Sequence, residues 1–314
     1  MNSSIFTYRN FDTQRDFAAL VTLLQTVKQA DQDGEDVSET MLREQLAWPG
    51  HDPELDRRVV FSSGGDALIG YGVVFQGPED EHADIHIAVH PQWRRQGIGS
   101  QLLRHLLERA HEKGAQDVRA YATVQNSAAR AFLSAQGFEP VAMYTRMDVT
   151  EIHNFPIAIM PSGFTVRCYD QVRRLDLLVE AMNRSYEGLW GHRHVEREEL
   201  SKWIPQFIQE GIFLLFAPGG TVAGMCRAEM SEHLTSLRGV PTALIDAPGI
   251  VPEYRGMGFH VPLLLTAIQW LLPQAPARIE MESWGDAPST LALYRELGFT
   301  PMQEAISYRR ELAK

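Results

Sequence analysis

The feature that most constrains this chain is an internal repeat. Val89-His90-Pro91-Gln92-Trp93-Arg94-Arg95-Gln96-Gly97-Ile98 returns as Ile250-Val251-Pro252-Glu253-Tyr254-Arg255-Gly256-Met257-Gly258-Phe259. Pro91 and Pro252, Arg94 and Arg255, and Gly97 and Gly258 each stand 161 positions apart, and so do Gly137-Phe138 and Gly298-Phe299. The openings Thr7-Tyr8-Arg9 and Thr165-Val166-Arg167 agree at a slightly different offset. One offset held across two distant landmarks means two copies of one domain. The expected division is a domain over 1–150, a linker over 151–162 and a domain over 163–314. Asn154, Pro156, Pro161 and Ser162 supply the loop chemistry between them. A chain of 314 residues accommodates two such domains, each burying about two-thirds of its unfolded surface.

Periodicity gives the elements of copy one. Helices are expected from Asp12 to Ala30 and from Ser38 to Trp48, then strands at Arg58–Ser62, Ala67–Gln76 and Ala83–His90, the first two joined by a Gly64-Gly65-Asp66 turn. A helix from Gly99 to Lys113 carries Leu102, Leu103, Leu106, Leu107 and Ala110 on one face. A strand at Val118–Val124, a helix at Ala128–Gln136 and a strand at Val141–Val149 complete the copy. Copy two repeats the order, with strands at Phe213–Phe216, Val222–Met230, Ala243–Ile250, Arg278–Trp284 and Ala305–Leu312, and helices at Val261–Leu272 and Ser289–Leu297. Interleaved strands and helices make the class α/β, or α+β with a mixed, mostly antiparallel sheet.

Composition narrows the function. There are 29 Lys and Arg against 40 Asp and Glu, a net charge of −11. That opposes reading a phosphate backbone, so no nucleic-acid partner is expected. No stretch of about 20 apolar residues and no basic, then apolar leader is present, so neither a membrane span nor a signal peptide is expected and a cytoplasmic location is. Two cysteines, Cys168 and Cys226, make neither a disulfide framework nor a zinc spacing.

The repeated landmark is a strand, a tight loop of Arg and Gly, then a helix. Free N–H groups at a helix start, with the helix dipole behind them, capture phosphate without a metal. Glycine belongs where a ligand approaches too closely for a Cβ. Neither copy carries the Gly-Lys-Ser/Thr of a P-loop or a full GxGxxG.

Arg94-Arg95-Gln96-Gly97-Ile98-Gly99 resembles the Gln/Arg-x-x-Gly-x-Gly/Ala signature of the GCN5-related N-acetyltransferases, and the Gly-Phe after a short helix is that family's second landmark. The duplication resembles the tandem acetyltransferases of the mycothiol synthase type. The resemblance covers nearly the whole chain. It implies acetyl-CoA as acyl donor, no metal, and direct transfer to the primary amine of a small molecule or peptide, by a monomer or homodimer. It places the donor on Val89, Arg94, Arg95, Gln96, Gly97, Ile98, Gly99, Ser100 and Asn126 in copy one, and on Ile250, Arg255, Gly256, Met257 and Gly258 in copy two.

The copies differ. His260 stands where copy one has Gly99, and its side chain is expected to crowd the phosphates. Leu293-Tyr294-Arg295-Glu296-Leu297-Gly298-Phe299 resembles the family segment whose tyrosine reprotonates the leaving thiolate, whereas copy one has Phe132-Leu133 there. Glu282, with Glu280 and Trp284 on one side of a strand, resembles the family's glutamate base; copy one has Tyr121 instead. An amine must lose a proton and the thiolate must gain one, so Glu282 and Tyr294 are the expected catalytic pair. The bland readings are a salt-bridged strand glutamate and a core tyrosine.

His82, His86 and His90 share a strand face, but at about 3.3 Å per residue neighbours stand ~13 Å apart, too far for one ion. Asp84 and Asp246 are fallback bases. Trp190-Gly191-His192-Arg193-His194 is a candidate pocket wall or a plain turn, and Gln25–Val37, with Asp31, Asp33, Glu35 and Asp36, is an exposed acidic loop. The rival functions are a CoA-binding module without catalysis, catalysis in copy one, and an aminoacyl-tRNA donor, which the net charge opposes.

Overall fold

The computed structural model describes residues 6–31, 37–48, 50–64, 67–77, 80–190, 192 and 194–312. In chain order these form β1 (Phe6–Asn10), α1 (Thr13–Asp31), α2 (Glu39–Leu46), β2 (Arg57–Ser62), β3 (Leu68–Phe75), β4 (His82–Val89), α3 (Ile98–Glu112), β5 (Asp117–Thr123), α4 (Ser127–Ala135) and β6 (Glu139–Val149). Then follow β7 (Thr165–Cys168), α5 (Tyr169–Val172), α6 (Leu175–Ser185), α7 (Arg197–Trp203), β8 (Ile212–Phe216), β9 (Val222–Met230), α8 (Glu232–Arg238), β10 (Thr242–Ile250), α9 (His260–Leu271), β11 (Arg278–Trp284), α10 (Pro288–Glu296) and β12 (Thr300–Glu311).

These elements make two compact units that do not coincide with the two copies. Unit 1 runs to Val141 and adds the segment from Ala305 on; unit 2 is Ala142–Glu304. In unit 1, β1, β2, β3 and β4 pair antiparallel in turn, β4 pairs parallel with β5, and β5 pairs antiparallel with residues 305–311 of β12. Unit 2 repeats this with β7, β8, β9, β10 and β11, closed by residues 144–149 of β6. Each copy's final strand therefore completes the sheet of the other copy. The division at 150 and 163 expected from the sequence assigns these strands differently. The reason is physical: a strand's alternation fixes which side chains face which way, not which edge the strand joins. The class is as expected, a mixed and mostly antiparallel sheet flanked by helices.

Both faces of each sheet are covered. In unit 1, Phe17, Leu20 and Leu24 of α1 bury against Val59, Tyr71 and Val73. On the other face Leu103, Leu106 and Ala110 of α3 bury against Val74, Ile85, Val118 and Tyr308. In unit 2, Leu178, Ala181 and Leu200 cover Leu214 and Phe216, while Leu263, Leu264, Ile268 and Leu271 of α9 cover Ile245 and Met281. Each fully buried leucine contributes about 1.5–3 kcal/mol.

The helix after each repeated loop is fastened to the turn before the second strand by different means. In unit 1, Arg109 Nε and Lys113 Nζ of α3 each reach the buried Asp56 carboxylate at 2.8 Å, with His51 Nδ1 at 3.4 Å. Burial alone would raise the pKa of Asp56. Hydrogen bonds from His51, Lys113, the Asp52 amide and Arg109 outweigh it and hold the carboxyl well below its usual range. In unit 2 the position of Arg109 is taken by Trp270, whose ring lies 3.0 Å from where a Cβ on Gly211 would stand. A charged rivet in one copy is a ring on a glycine in the other.

Candidate active site

Strands β4 and β5 pair over only three rungs, His82–Asp117, Ala83–Val118 and Asp84–Arg119, and then part from each other, β4 staying with β3 to Val89 and β5 with β12 to Thr123. This fork leads to the first loop. There Arg95 and Gly97 take positive φ, +64° and +83°, which turns the chain so that α3 starts at Ile98. The first intrahelical bond is Gln101 N to Gly97 O, 3.0 Å, so the N–H groups of Ile98, Gly99 and Ser100 precede the ladder and point outward. A Cβ on Gly97 would meet nothing within 4 Å, and one on Gly99 would touch Phe132 at 3.6 Å and Val89 at 3.9 Å. The result is an open cradle of donors at a helix start, which fits an anion. Arg94 does not face that cradle. Its Nε donates to Val89 O at 3.1 Å and its two Nη atoms clamp the Asp31 carboxylate at 2.7 and 2.9 Å, tying the loop to α1. Arg95 and Gln96 are exposed on the loop. Asn126 caps α4, its Oδ1 accepting from Ala129 N at 3.0 Å.

The second loop keeps the turn and changes its surroundings. Gly256 and Gly258 take φ +77° and +83°. Arg255 Nε donates to Ile250 O at 2.8 Å, as Arg94 does to Val89, and its Nη2 reaches the carbonyls of Ser185 and Glu187. Met257 N is already bonded to Tyr254 O, and α9 starts at His260, its first intrahelical bond running from Leu263 N to Phe259 O. Burial and then the Arg255 charge lower the pKa of His260 to about 4, so its imidazole is neutral at pH 7. Met257 is exposed, and Ile250 is buried at the strand end.

The unit 2 fork differs in two ways. Its parallel pairing extends further, to Asp246–Glu282, and β10 shifts register against β9 between Asp246 and Gly249, where Pro248 removes a ladder donor. Copy one has Ile87 at the matching position, and β3–β4 pairs without interruption. Tyr186, at the end of α6, covers this bulge. Its hydroxyl donates to Ala247 O at 3.2 Å, and its ring lies 2.7 Å from where a Cβ on Gly249 would sit.

At the last rung before the fork opens, one face of unit 2 carries a charged row. Arg227 pairs with Asp246, Asp246 with Glu282, and Glu282 with Arg146, across β9, β10, β11 and β6. Arg227 donates Nε and Nη2 to the two Asp246 oxygens at 2.7 and 3.3 Å. Glu282 Oε1 accepts from Arg146 Nε at 3.0 Å, from Arg146 Nη2, and from the Tyr144 hydroxyl at 3.1 Å. Burial and then Glu282 push the Tyr144 pKa up, keeping it a donor. Two rungs on, Tyr144 packs at a tilt against Trp284 with centroids 4.3 Å apart. In unit 1 the matching rung lies beyond the last parallel pair and holds His86 and Tyr121. The bulge shifts the count by one, so the counterpart of Asp246 is His86 rather than Asp84.

Tyr294 reaches the fork from the other side. It is enclosed at 0% exposure with Met281 and Ile279 in the core under α9 and α10, whereas Glu282 alternates to the opposite face. No group lies in hydrogen-bonding geometry to its hydroxyl. Burial, and then the neighbouring Asp286, Cys226 and Tyr186, push its pKa well above 10. The expected catalytic pair therefore does not touch directly. Glu282 is held by Arg146 and Tyr144, and Tyr294 lies in the core on the opposite face.

Tyr144, Tyr186 and the two arginines of the row escape the sequence reading. Arg146 and Tyr144 belong to the other copy in sequence, and only the strand exchange brings them here. Pro248 inside a strand is the one available signal for the bulge. In unit 1, Asp84 Oδ1 is buried without a hydrogen-bond partner; burial raises its pKa, with His82 and Arg119 pulling it back. His90 Nδ1 accepts from Gln92 N at 3.3 Å. Among the described residues no group of three or more His, Cys, Asp and Glu is placed to hold a metal. Gly191 and Arg193 of the candidate pocket wall, Gly65 and Asp66 of the hairpin turn, and Asp33, Glu35 and Asp36 of the acidic loop lie outside the described residues. No described helix is long and apolar enough to cross a membrane.

The model of the acetyltransferase (GNAT) family matches twice, over residues 20–138 and 175–299. A mycothiol acetyltransferase of Pseudarthrobacter chlorophenolicus is 25% identical over 247 residues, 78% of this chain and 75% of the relative. A GCN5-related N-acetyltransferase from Sphaerobacter thermophilus is similar in structure, with TM-score 0.75 at 19% identity over 99% of this chain and 97% of that one. A tandem GNAT protein from the clavulanic acid biosynthesis pathway gives 0.64 at 18% over 98% and 99%.

Proposed function

The chain belongs to the acetyltransferase (GNAT) family, and from that premise we propose that unit 2 carries out the transfer while the first loop holds acetyl-CoA without turning it over. As a member it is an acetyl-CoA-dependent acetyltransferase. Acetyl-CoA supplies the activated acetyl group when bound. The outward N–H groups of Ile98, Gly99 and Ser100, with Arg95, Gln96 and Gly97 beside them and Val89 at the strand end, fit its pyrophosphate. Ile250, Gly256, Met257 and Gly258 form the matching, narrower place in copy two.

The observation that carries the reading is the enclosed Tyr294 hydroxyl, which lacks a partner at the fork. A buried hydroxyl left unpaired costs about 1–3 kcal/mol, and a departing sulfur would supply the missing partner. The charged row stands on the other face, so a base and an acid reach the gap from opposite sides. Glu282, with Asp246 beside it, takes the ammonium proton; Arg146 and Arg227 hold the two carboxylates apart. Tyr294 gives its proton to the sulfur as it leaves. The mycothiol acetyltransferase relative supports a mycothiol-type amine as the first acceptor to assay.

Thiol release over an amine panel tests this. Tyr294→Phe should lower turnover ten- to ten-thousand-fold and leave acetyl-CoA affinity nearly unchanged, and Glu282→Gln should remove the acidic limb of the pH–rate profile. A second reading, catalysis in copy one, is favoured by the unpartnered Asp84 carboxylate. It wins if both variants keep wild-type turnover and Asp84→Asn abolishes it.

A further inference from the structure

The Glu282 carboxylate at the unit 2 fork is held by one of its two oxygens. Arg146 Nε donates to Oε1 at 3.0 Å, Arg146 Nη2 donates to the same atom, and the Tyr144 hydroxyl donates to it at 3.1 Å. A carboxylate oxygen offers about two lone-pair sites, so Oε1 is saturated, and none of the three bonds reaches Oε2. Asp246 is bound differently. Arg227 Nε and Nη2 take one oxygen each, at 2.7 and 3.3 Å, a fork that engages both atoms. Tyr144 is itself fixed, buried with its ring against Trp284. Copy one offers a control. At the offset of 161, Glu282, Arg146 and Tyr144 correspond to Tyr121, Ser307 and Ala305. The register agrees, since Ser307 pairs with Tyr121 as Arg146 pairs with Glu282. Where the carboxylate is missing, both of its holders are missing too.

We propose that Tyr144 and Arg146 are positioning residues that pin Glu282 Oε1 and so present Oε2 as the atom that takes the ammonium proton. This rests on the reading of Glu282 as the base and narrows it to one carboxylate and one oxygen. The transfer balances. An ammonium N–H breaks, the Oε2–H bond forms, and the nitrogen keeps the electron pair with which it attacks the thioester. Oε2 gives the proton to water once the product has left. The charged and titratable groups around Glu282 are Arg146 and Tyr144 on β6 and Asp246 on β10. Beyond Asp246 stand Arg227 and Tyr186, the latter bonding Ala247 O. On its own strand Glu280 is two residues back and is held by Arg238. A hydroxyl that donates to a carboxylate favours its charged form, and a neighbouring anion opposes it. Losing the Tyr144 donor therefore makes Glu282 easier to protonate, and losing the Asp246 charge makes it harder.

Tyr144→Phe keeps the ring against Trp284 and removes only the donor. On the high-pH plateau kcat should fall about three- to tenfold, a small part of the hundredfold or more that a whole general base supplies. The KM for acetyl-CoA should stay unchanged. The acidic limb of kcat/KM should move to higher pH by about half a unit to a unit, the worth of one hydrogen bond, whereas Asp246→Asn should move it to lower pH. Arg146→Lys keeps the charge and loses the double hold; it should slow the plateau in the same way, and it serves if Tyr144→Phe does not fold. A readout that needs no substrate is the carbon NMR titration of the Glu282 carboxyl in the full chain, assigned by its loss in Glu282→Gln. That titration should shift as the limb does, and Tyr144→Phe should cost nothing further in a Glu282→Gln background. If Glu282→Gln keeps wild-type turnover, the base assignment fails and this inference falls with it. If Asp246→Asn removes the acidic limb and Glu282→Gln does not, the proton goes to the other carboxylate and the inference is overturned. It is overturned as well if Glu282→Gln is slow but Tyr144→Phe, or Arg146→Lys in its place, changes neither the plateau rate nor the carboxyl titration.

Discussion

The two repeated loops match in sequence and differ in their surroundings. The first keeps the open cradle, with the Ile98, Gly99 and Ser100 amides ahead of the helix ladder and glycine wherever a ligand would press. Its fork holds His86 and Tyr121 at the rung where chemistry would occur. The second has spent part of its cradle: Met257 N is bonded, and His260 fills the last glycine position. Its fork carries Asp246, Glu282, a bulge and a partnerless tyrosine. On the proposed function, anion capture and proton transfer separate along the chain. The difference teaches that the loop signature reports where a phosphate fits, while the charge at the rung beside the fork is set independently of it.

The largest effect that could sharpen this contrast lies away from the loops. Asp56→Asn removes the anion between Arg109 and Lys113 and should destabilise unit 1 by about 3 kcal/mol, the low end for breaking a buried pair because both cations are partly solvated. Its folded pKa lies below the unfolded value near 4. The stabilisation is therefore complete above about pH 4 and is lost as pH falls below it. Hydrogen exchange should find unit 1 opening before unit 2 on acidification, and Asp56→Asn should abolish that order. Equal acid sensitivity of the two units would show the rivet to be unimportant.

Next in size, Gly97→Glu puts a carboxylate and a strained φ into the first cradle. Binding of acetyl-CoA there should weaken by roughly a hundredfold, about 2–3 kcal/mol. Calorimetric titration should lose one site while Gly258→Glu leaves that site intact. Unchanged stoichiometry in a folded Gly97→Glu protein removes the phosphate assignment from copy one.

The smallest change should come from His260→Gly. The imidazole is neutral at pH 7, so its removal takes no charge from the site, only bulk. A tightening of a few-fold, about 1 kcal/mol, is expected at the second loop alone, read in the same titration. Weaker binding instead would make the imidazole a phosphate partner.

Much of this was legible in the residues. The helix covering the sheet behind each loop, the strands leading into the forks and the offset of 161 all follow from alternation, glycine and the repeat. The five-residue β1 and four-residue β7 are too short to carry a period. The helix α8 lies in the connection over 231–241, which is longer than its copy-one counterpart over 76–81, so the repeat hides it. Arg94 reads as a phosphate ligand because its clamp on Asp31 spans 63 positions, and no local pattern carries that distance. Tyr144 and Arg146 read as ordinary strand residues of copy one, since only the folded chain puts them against Glu282.

The strand exchange also bears on the order in which the protein can be made. Unit 1 leaves the ribosome first, yet its sheet lacks residues 305–311 until all 163 residues of Ala142–Glu304 have been added. At about 5–20 residues per second that interval is roughly 8–30 s. Throughout it one edge of β5, Asp117–Thr123, has no neighbour, an open invitation to another nascent chain. Unit 2 meets no such delay, because its closing strand β6 is synthesised before the rest of its sheet. The half of the molecule born first is the last to be finished, and its need for chaperones during translation should exceed that of its twin.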